Sequence, residues 1–325
     1  MYCPIALTKI NKDNFEENAL VLFQYQAKEV FTYKTYLQQL KSDLKSITSI
    51  EKIPFLPIEF YKSQKIIVEN KIPEIVFASS ATTGSVQSRH YVADLSLYRE
   101  SFLQAFQLFY GDITDYCVLA LLPSYLERDG SSLVFMVNEL IQKSNNKNSG
   151  FYLHNKEELA QKIIFLEQQN QKILLIGVTY ALLELAEIQA FSLKNTTIME
   201  TGGMKGKRQE MVREELHQFL CERFGVNKIH SEYGMTEMLS QAYSKGNGIF
   251  DCPPWMRVLI RDVNDPFSFL TNEKTGGINV IDLANVNSCA FIATQDLGKI
   301  HSDNSFEVLG RFDNSDIRGC NLLVQ

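Results

Sequence analysis

Apolar residues fall along this chain in two textures. From about Asn14 to Thr48 they recur near helical spacing, at Leu20, Phe23, Val30, Tyr33 and Leu37. Residues three or four apart share one helix face, so this stretch predicts helix, with Asp13 or Asn14 to cap its start. After the proline-marked Pro54-Phe55-Leu56-Pro57, short apolar runs alternate with helical periods. Val76-Phe77, Cys117 to Leu122 (ended by Pro123), Ile173 to Val178 and Thr197-Ile198-Met199 read as strands. Leu95 to Tyr110, Tyr180 to Ile188 and the amphipathic Glu210 to Phe224 read as helices. This alternation predicts an α/β core on a mainly parallel sheet. After about Phe250 the segments shorten and are punctuated by Asp265-Pro266, Gly276-Gly277 and Gly298, which predicts a β-rich section. Ser144 to Asn148 reads as an exposed loop, and no repeat at solenoid periods is visible.

The totals narrow the function. At 325 residues, 45% hydrophobic and 22% charged, the chain has the balance of a soluble globular protein. A formal charge of −6 gives no general pull towards nucleic acid or anionic membrane, so any anion site must be built locally. No apolar run is long enough to predict a membrane span, and the first residues carry no secretory pattern. The six cysteines, at 3, 117, 221, 252, 289 and 320, form no C-x-x-C pair, so neither a zinc site nor a disulfide framework is predicted. The expected setting is reducing and cytoplasmic.

Five segments carry candidate chemistry. Ser79-Ser80-Ala81-Thr82-Thr83-Gly84-Ser85 follows the apolar run Ile75 to Ala78 directly. Small residues and hydroxyls can wrap phosphate oxygens, with Arg89 and His90 a few residues on to supply positive charge, although a plain turn has the same composition, and no Gly-Lys-Ser/Thr of a Walker A loop follows. Glu200-Thr201-Gly202-Gly203 is either a close-approach site for a flat ligand or a tight turn. In Ser231-Glu232-Tyr233-Gly234-Met235-Thr236-Glu237 the tyrosine offers a stacking ring, the threonine a hydroxyl and Glu237 a hard oxygen for Mg²⁺. Asp296, beside the Gly298 turn, can accept two bonds from a ribose diol, and Arg311 can pair with ribose or phosphate oxygens. His230 either lines a pocket or is a satisfied core histidine. His154 lies outside every motif, and the aromatic residues between Phe102 and Tyr116 read as core.

The order of these segments resembles the adenylate-forming superfamily of acyl- and aryl-CoA synthetases, luciferases and adenylation domains, over roughly Phe77 to the C-terminus. Within it the chain is most similar to the acyl-protein synthetase (LuxE-type) branch. That likeness rests on Ser88-Arg89-His90, on Leu122 to Arg128 with Ser131-Ser132-Leu133, on Gly202 to Gly206, and on Ser315-Asp316-Ile317-Arg318-Gly319-Cys320. It implies the large N-terminal domain of that fold over residues 1–312. It also implies activation of a carboxylic, typically fatty, acid by ATP and Mg²⁺. Ser79, Ser80, Thr82, Thr83 and Gly84 would surround the phosphates, and Arg89 would replace the superfamily's loop lysine. Gly202 and Gly203 would lie along the adenosine and Tyr233 would stack on adenine. Thr236 would touch the α-phosphate, Glu237 would hold Mg²⁺, and Asp296 and Arg311 would grip the ribose.

Asp313 falls where the superfamily hinges to a C-terminal lid of about a hundred residues, a whole domain's size. Here 12 residues follow it, so residues 313–325 read as a short tail with the lid essentially absent. The branch likewise ends early and accepts the acyl group on a cysteine near its C-terminus, which Cys320 matches. The resemblance implies reductase-like or acyltransferase partner subunits. Two alternatives fit the same residues: a ligase that passes the acyl group to coenzyme A, as phenylacetate-CoA ligases do, and a non-catalytic nucleotide-binding subunit of a reductase complex.

Overall fold

The computed structural model describes residues 5–80, 86–124, 127–128, 130–202 and 211–312. The first helical stretch forms as two helices, α1 (Phe15–Glu29) and α2 (Phe31–Gln39). The break falls at β-branched Val30, whose extended backbone makes an isolated β-bridge with Val68. Asn14 occupies the N-cap position without capping the first turn. Its Oδ1 instead accepts from the Asn11 amide, and its Nδ2 donates to the Lys9 carbonyl.

Next come β1 (Leu56–Pro57), α3 (Phe60–Ser63), β2 (Ile75–Ala78), β3 (Arg89–Val92), α4 (Leu95–Tyr110), β4 (Tyr116–Leu121) and α5 (Ser132–Ser144). The middle of the chain supplies β5 (Gly150–Phe151), α6 (Lys156–Gln168), β6 (Lys172–Val178), α7 (Thr179–Ile188), β7 (Thr196–Thr201), α8 (Arg213–Phe224) and β8 (His230–Tyr233). The remainder is strand: β9 (Ala242–Ser244), β10 (Ile249–Asp251), β11 (Met256–Arg261), β12 (Thr275–Asp282), β13 (Phe291–Ile300) and β14 (Phe306–Arg311).

One large sheet runs in the order β11-β12-β13-β14-β10-β9-β8-β7-β6-β4-β5, with β1 added parallel to β13. From β5 to β8 the pairing is parallel; from β8 to β11 it is antiparallel. The division follows the sequence texture. All six residues of β4 are buried, as are the last six of β6, as expected of parallel strands covered on both faces. β11 and most of β13 alternate buried and half-buried residues, the period-2 pattern of strands with one face in the core.

The Val76-Phe77 strand forms, but it pairs antiparallel with β3 in a separate hairpin rather than joining the parallel sheet. α4 spans the residues its periodicity predicts. It is capped by the Asp94 carboxylate, which accepts from the Ser96 amide, and it buries Phe102 and Phe106. The observed fold is thus the expected mixed α/β architecture. β6, β7 and β8 end at one edge, and β8 is where parallel pairing gives way to antiparallel. The crevice outside the carboxyl ends of such strands is where open α/β sheets bind ligands.

Candidate functional site

Tyr233 closes β8 with its hydroxyl donating to Asp296 Oδ2 at 2.8 Å. Asp296 sits on β13 directly opposite Arg311 on β14, and the Arg311 Nε donates to the other carboxylate oxygen at 3.2 Å. Asp296 is only 7% exposed, whereas the Arg311 side chain is 80% exposed, so the carboxylate is fixed and the guanidinium reaches solvent. Each Asp296 oxygen keeps a free lone pair for a diol. The Tyr233 ring is 9% exposed and packs edge-on to Phe250 and Phe306, with little of its face open.

The loop after Tyr233 is held from behind. Thr236 and Glu237 face the hairpin of β2 and β3, whose alternation turns Ser88 and His90 inwards and Arg89 outwards. A hydrogen bond from the Ser88 side chain reaches the Glu237 carboxylate. His90 Nδ1 lies 2.9 Å from the Thr236 carbonyl, an acceptor only, so that nitrogen carries a proton. Its Nε2 faces Asn285 Oδ1 at 3.2 Å, and Asn285 Nδ2 donates to the carbonyls of Glu237 and Cys289. Oxygens opposite both nitrogens favour the charged ring, but burial outweighs them and pulls the His90 pKa down to about 4. Burial raises the Glu237 carboxyl; Ser88 and the Arg311 charge partly offset this. Beyond it, Asp282 at the end of β12 accepts from the Leu239, Ser240 and Ala284 amides and from the Ser240 hydroxyl.

β7 ends with a buried carboxylate, Glu200, on one face and a hydroxyl that binds a carboxylate, Thr201, on the other. Glu200 accepts from His217 Nε2 (2.9 Å), Ser231 Oγ (3.0 Å) and Thr179 Oγ1 (3.1 Å). Burial pushes this carboxyl up, but the bonds and charge of His217, with Arg213, outweigh it and the net shift is downward. On the other face Thr201 Oγ1 donates to Glu232 Oε2 at 2.5 Å. Burial there pushes the Glu232 carboxyl up to about 7 against that single bond.

The structure brings Tyr233, Thr236, Glu237, Asp296 and Arg311 together. Ser79 and Ser80 follow β2 at the mouth of the same hairpin, where Ser79 Oγ accepts from the Ser88 amide. Gly202 ends β7 with φ 72°, a left-handed backbone that suits glycine. Arg89 is exposed on the hairpin's other face and does not join the group. Thr82, Thr83, Gly84, Gly203 and Cys320 lie outside the described residues. His230 is a satisfied histidine, its Nδ1 3.2 Å from the Tyr110 hydroxyl, and His154 pairs with Glu127 at the surface. From the sequence Ser88, Asn285 and Asp282 have no role, and His90, offered there with Arg89 as positive charge, is instead a buried ring whose pKa of about 4 keeps it neutral. The period-2 alternation of Ser88-Arg89-His90 on a strand was the signal that could have put Ser88 and His90 on the inner face.

Among the described residues no group of three or more His, Cys, Asp or Glu could hold a metal alone. Glu237 is therefore a single hard oxygen donor. That fits Mg²⁺, which is commonly bound by one or two carboxylates together with substrate phosphates and waters.

A family model described as "Acyl-protein synthetase, LuxE" matches residues 3–325. No curated protein matches the chain. Among solved structures, the ATP-bound MatB from Rhodopseudomonas palustris is 16% identical with a TM-score of 0.54, over 73% of this chain and 47% of its own. An open conformation of 2-hydroxyisobutyryl-CoA ligase, in complex with 2-HIB-AMP and CoA, is 12% identical with a TM-score of 0.69, over 96% of this chain and 75% of its own. The luciferase-like enzyme from the nonluminescent Zophobas morio mealworm is 14% identical with a TM-score of 0.54, over 76% and 59%. At these identities the likeness is one of fold, and the chain spans about half the length of MatB.

Proposed function

Because the chain belongs to the LuxE acyl-protein synthetase family, we propose that it activates a carboxylic acid with ATP, forming an acyl-adenylate and pyrophosphate, and then passes the acyl group to a thiol with release of AMP. The observation that carries this reading is the hydrogen-bonded chain Tyr233–Asp296–Arg311 beside the buried Glu237. MatB, solved with ATP, and the ligase solved with an acyl-adenylate share the fold and lend support.

In this reading a carboxylate oxygen of the acid attacks the α-phosphorus, the bond to the β-phosphate oxygen breaks, and pyrophosphate leaves. Asp296 accepts from the ribose hydroxyls while Tyr233 keeps its carboxylate in place. Arg311, exposed at its guanidinium end, places positive charge against ribose or phosphate oxygens. Ser79, Ser80, Thr82, Thr83 and Gly84 supply small donors around the phosphates, and Gly202 and Gly203 let the adenosine approach the backbone. Thr236 donates to the α-phosphate, its carbonyl held by His90. Glu237 would hold Mg²⁺, which when bound neutralises phosphate charge. Repulsion between two anions is the main barrier, so fixed positive groups act where charge develops.

Acid-dependent exchange of labelled pyrophosphate into ATP tests this. Exchange is expected with at least one acid of a broad panel, and Glu237→Gln should reduce it about 100-fold or more. A folded protein that shows no acid-dependent exchange with any acid refutes the reading and favours a non-catalytic subunit.

A further inference from the structure

Arg261, the last residue of β11, has no place in the chemistry above, yet it reaches both strands that carry the Asp296–Arg311 pair. It pairs with Gly277 across the β11–β12 ladder, and a Cβ at Gly277 would stand 2.4 Å from Arg261 Cζ. The guanidinium therefore lies across that glycine and fills the space a side chain would need. From there Nη1 donates to the Ile278 carbonyl at 2.8 Å and to Asn279 Oδ1 at 2.7 Å, both on β12. Nη2 donates to the Thr294 carbonyl on β13 at 2.6 Å. The Cζ carbon stands 5.3 Å from the ring centroid of Phe312, the residue that follows β14. One side chain thus ties β11 to β12, to β13 and to the end of β14, and a planar fork that also packs on a ring is what arginine supplies.

These contacts fall on the immediate neighbours of Asp296 and Arg311. Thr294 is two residues before Asp296; its Oγ1 accepts from the Asp296 amide at 3.1 Å and donates to the Ile278 carbonyl at 2.8 Å. Phe312 follows Arg311, and its amide donates to the Gln295 carbonyl at 2.8 Å. Gly277 also pairs with Leu297, one residue past Asp296, so alternation puts the guanidinium on the sheet face turned away from the Asp296 carboxylate. The ladder alone holds this corner loosely. Its register shifts between Leu297 and Gly298, just after the Asp296–Arg311 pair, and again between Gly277 and Asn279 of β12. β14 ends at Arg311, so beyond it the backbone depends on the Phe312 amide and on the contact of that ring with Arg261. The bonds to β12 brace the β11–β12 hairpin; those to Thr294 and Phe312 act on the two sides of the clasp.

From this placement we infer that Arg261 is a positioning residue for nucleotide binding, holding Asp296 and Arg311 at the separation that grips the ribose diol. The inference rests on the acid-activation reading and adds a residue to its nucleotide site. Arg261 itself meets no substrate atom. Loosening the pair weakens binding in the ground state and the transition state alike, so KM for ATP rises while kcat changes little.

The test is acid-dependent pyrophosphate exchange by the full chain with ATP and with 2′-deoxy-ATP, which lacks one hydroxyl of the diol. The wild type is expected to favour ATP in kcat/KM by about 10-fold or more, because the analogue leaves an acceptor of the clasp unpaired. Arg261→Met keeps a stem over Gly277 and removes the fork. It should raise KM for ATP about 10-fold, hold kcat within about 3-fold and shrink the preference for ATP over 2′-deoxy-ATP. Phe312→Leu, checked by circular dichroism, covers the case in which the Arg261 variant does not fold; it should move KM and the preference in the same direction by smaller factors. Folded variants that keep the wild-type preference, or that lose activity on both nucleotides alike, overturn the inference and leave Arg261 a brace of the fold. A wild type that uses both nucleotides equally also overturns it, with acid activation left standing. No exchange with any acid overturns both.

Discussion

At the scale of the residue, burial shifts two titratable groups in opposite directions, and the signs can be worked out. His90 has a folded pKa of about 4, below its ordinary value near 6.5. As pH falls through that window the unfolded chain takes a proton that the folded one refuses, so stability is lost, on the order of 3 kcal/mol by pH 4. Glu232 has a folded pKa of about 7 against an ordinary 4.5. As pH rises through that window the unfolded carboxyl ionises first, so stability is again lost, this time on the alkaline side. Glu232→Gln should therefore stabilise the protein at pH 8 by up to about 3 kcal/mol and change little at pH 4.5. Urea denaturation at the two pH values checks this, and an equal effect at both would contradict it. The types at these positions were visible in the sequence, but their weights were not. Arg89 and His90 read there as two sources of positive charge, whereas strand alternation turns His90 inwards with Ser88 and leaves Arg89 outside.

At the scale of the element, short pieces of backbone are positioned by polar ties that span long stretches of sequence. The Glu237 loop hangs between β3, through Ser88 and His90, and β12, through Asp282. Asp282 is fully buried and receives four donors. Replacing it with alanine leaves those donors unpaired in the core. Asp282→Ala should cost about 3 kcal/mol or more and lower exchange activity by misplacing Glu237, while Asp282→Asn should cost less. Chemical denaturation measures the first effect; an alanine variant within about 1 kcal/mol of wild type would show the clasp to be dispensable. Element type was largely legible. α4, β4, β6 and β7 form where periodicity and apolar runs put them, because the α4 stripe is long and one-sided and the strands are short continuous apolar runs buried on both faces. Val30 was the exception. Its place in the helical stripe is sound, but its bridge to Val68 depends on a segment 38 residues away, which no local pattern reveals.

At the scale of the whole molecule, the question is where an activated acyl group goes. Burial raises the thiols of Cys117, Cys221, Cys252 and Cys289, the last to about 12. None of these four is a ready thiolate at neutral pH, and a thioester needs one. Under the proposed acyl transfer the acceptor would be Cys320 or Cys3, both outside the described residues, or a thiol brought by another molecule. With ATP and a labelled acid, the full chain is expected to carry a hydroxylamine-labile label that Cys320→Ser abolishes while pyrophosphate exchange persists. A label undiminished in that variant would remove Cys320 as acceptor. The sequence by itself determined the α/β class, the β-rich section after about Phe250 and the order of the site segments, because apolar period, glycines and hydroxyl clusters are local properties of the chain. Only the tertiary structure decided that Tyr233 and Asp296, 63 positions apart, share a hydrogen bond, that Arg89 points away from the site, and that Glu232 lies beside Thr201 with Tyr98, Tyr110 and Tyr243 near it. Those facts follow from strand register and from which face each helix covers, and both arise only when distant segments compete for the same buried space.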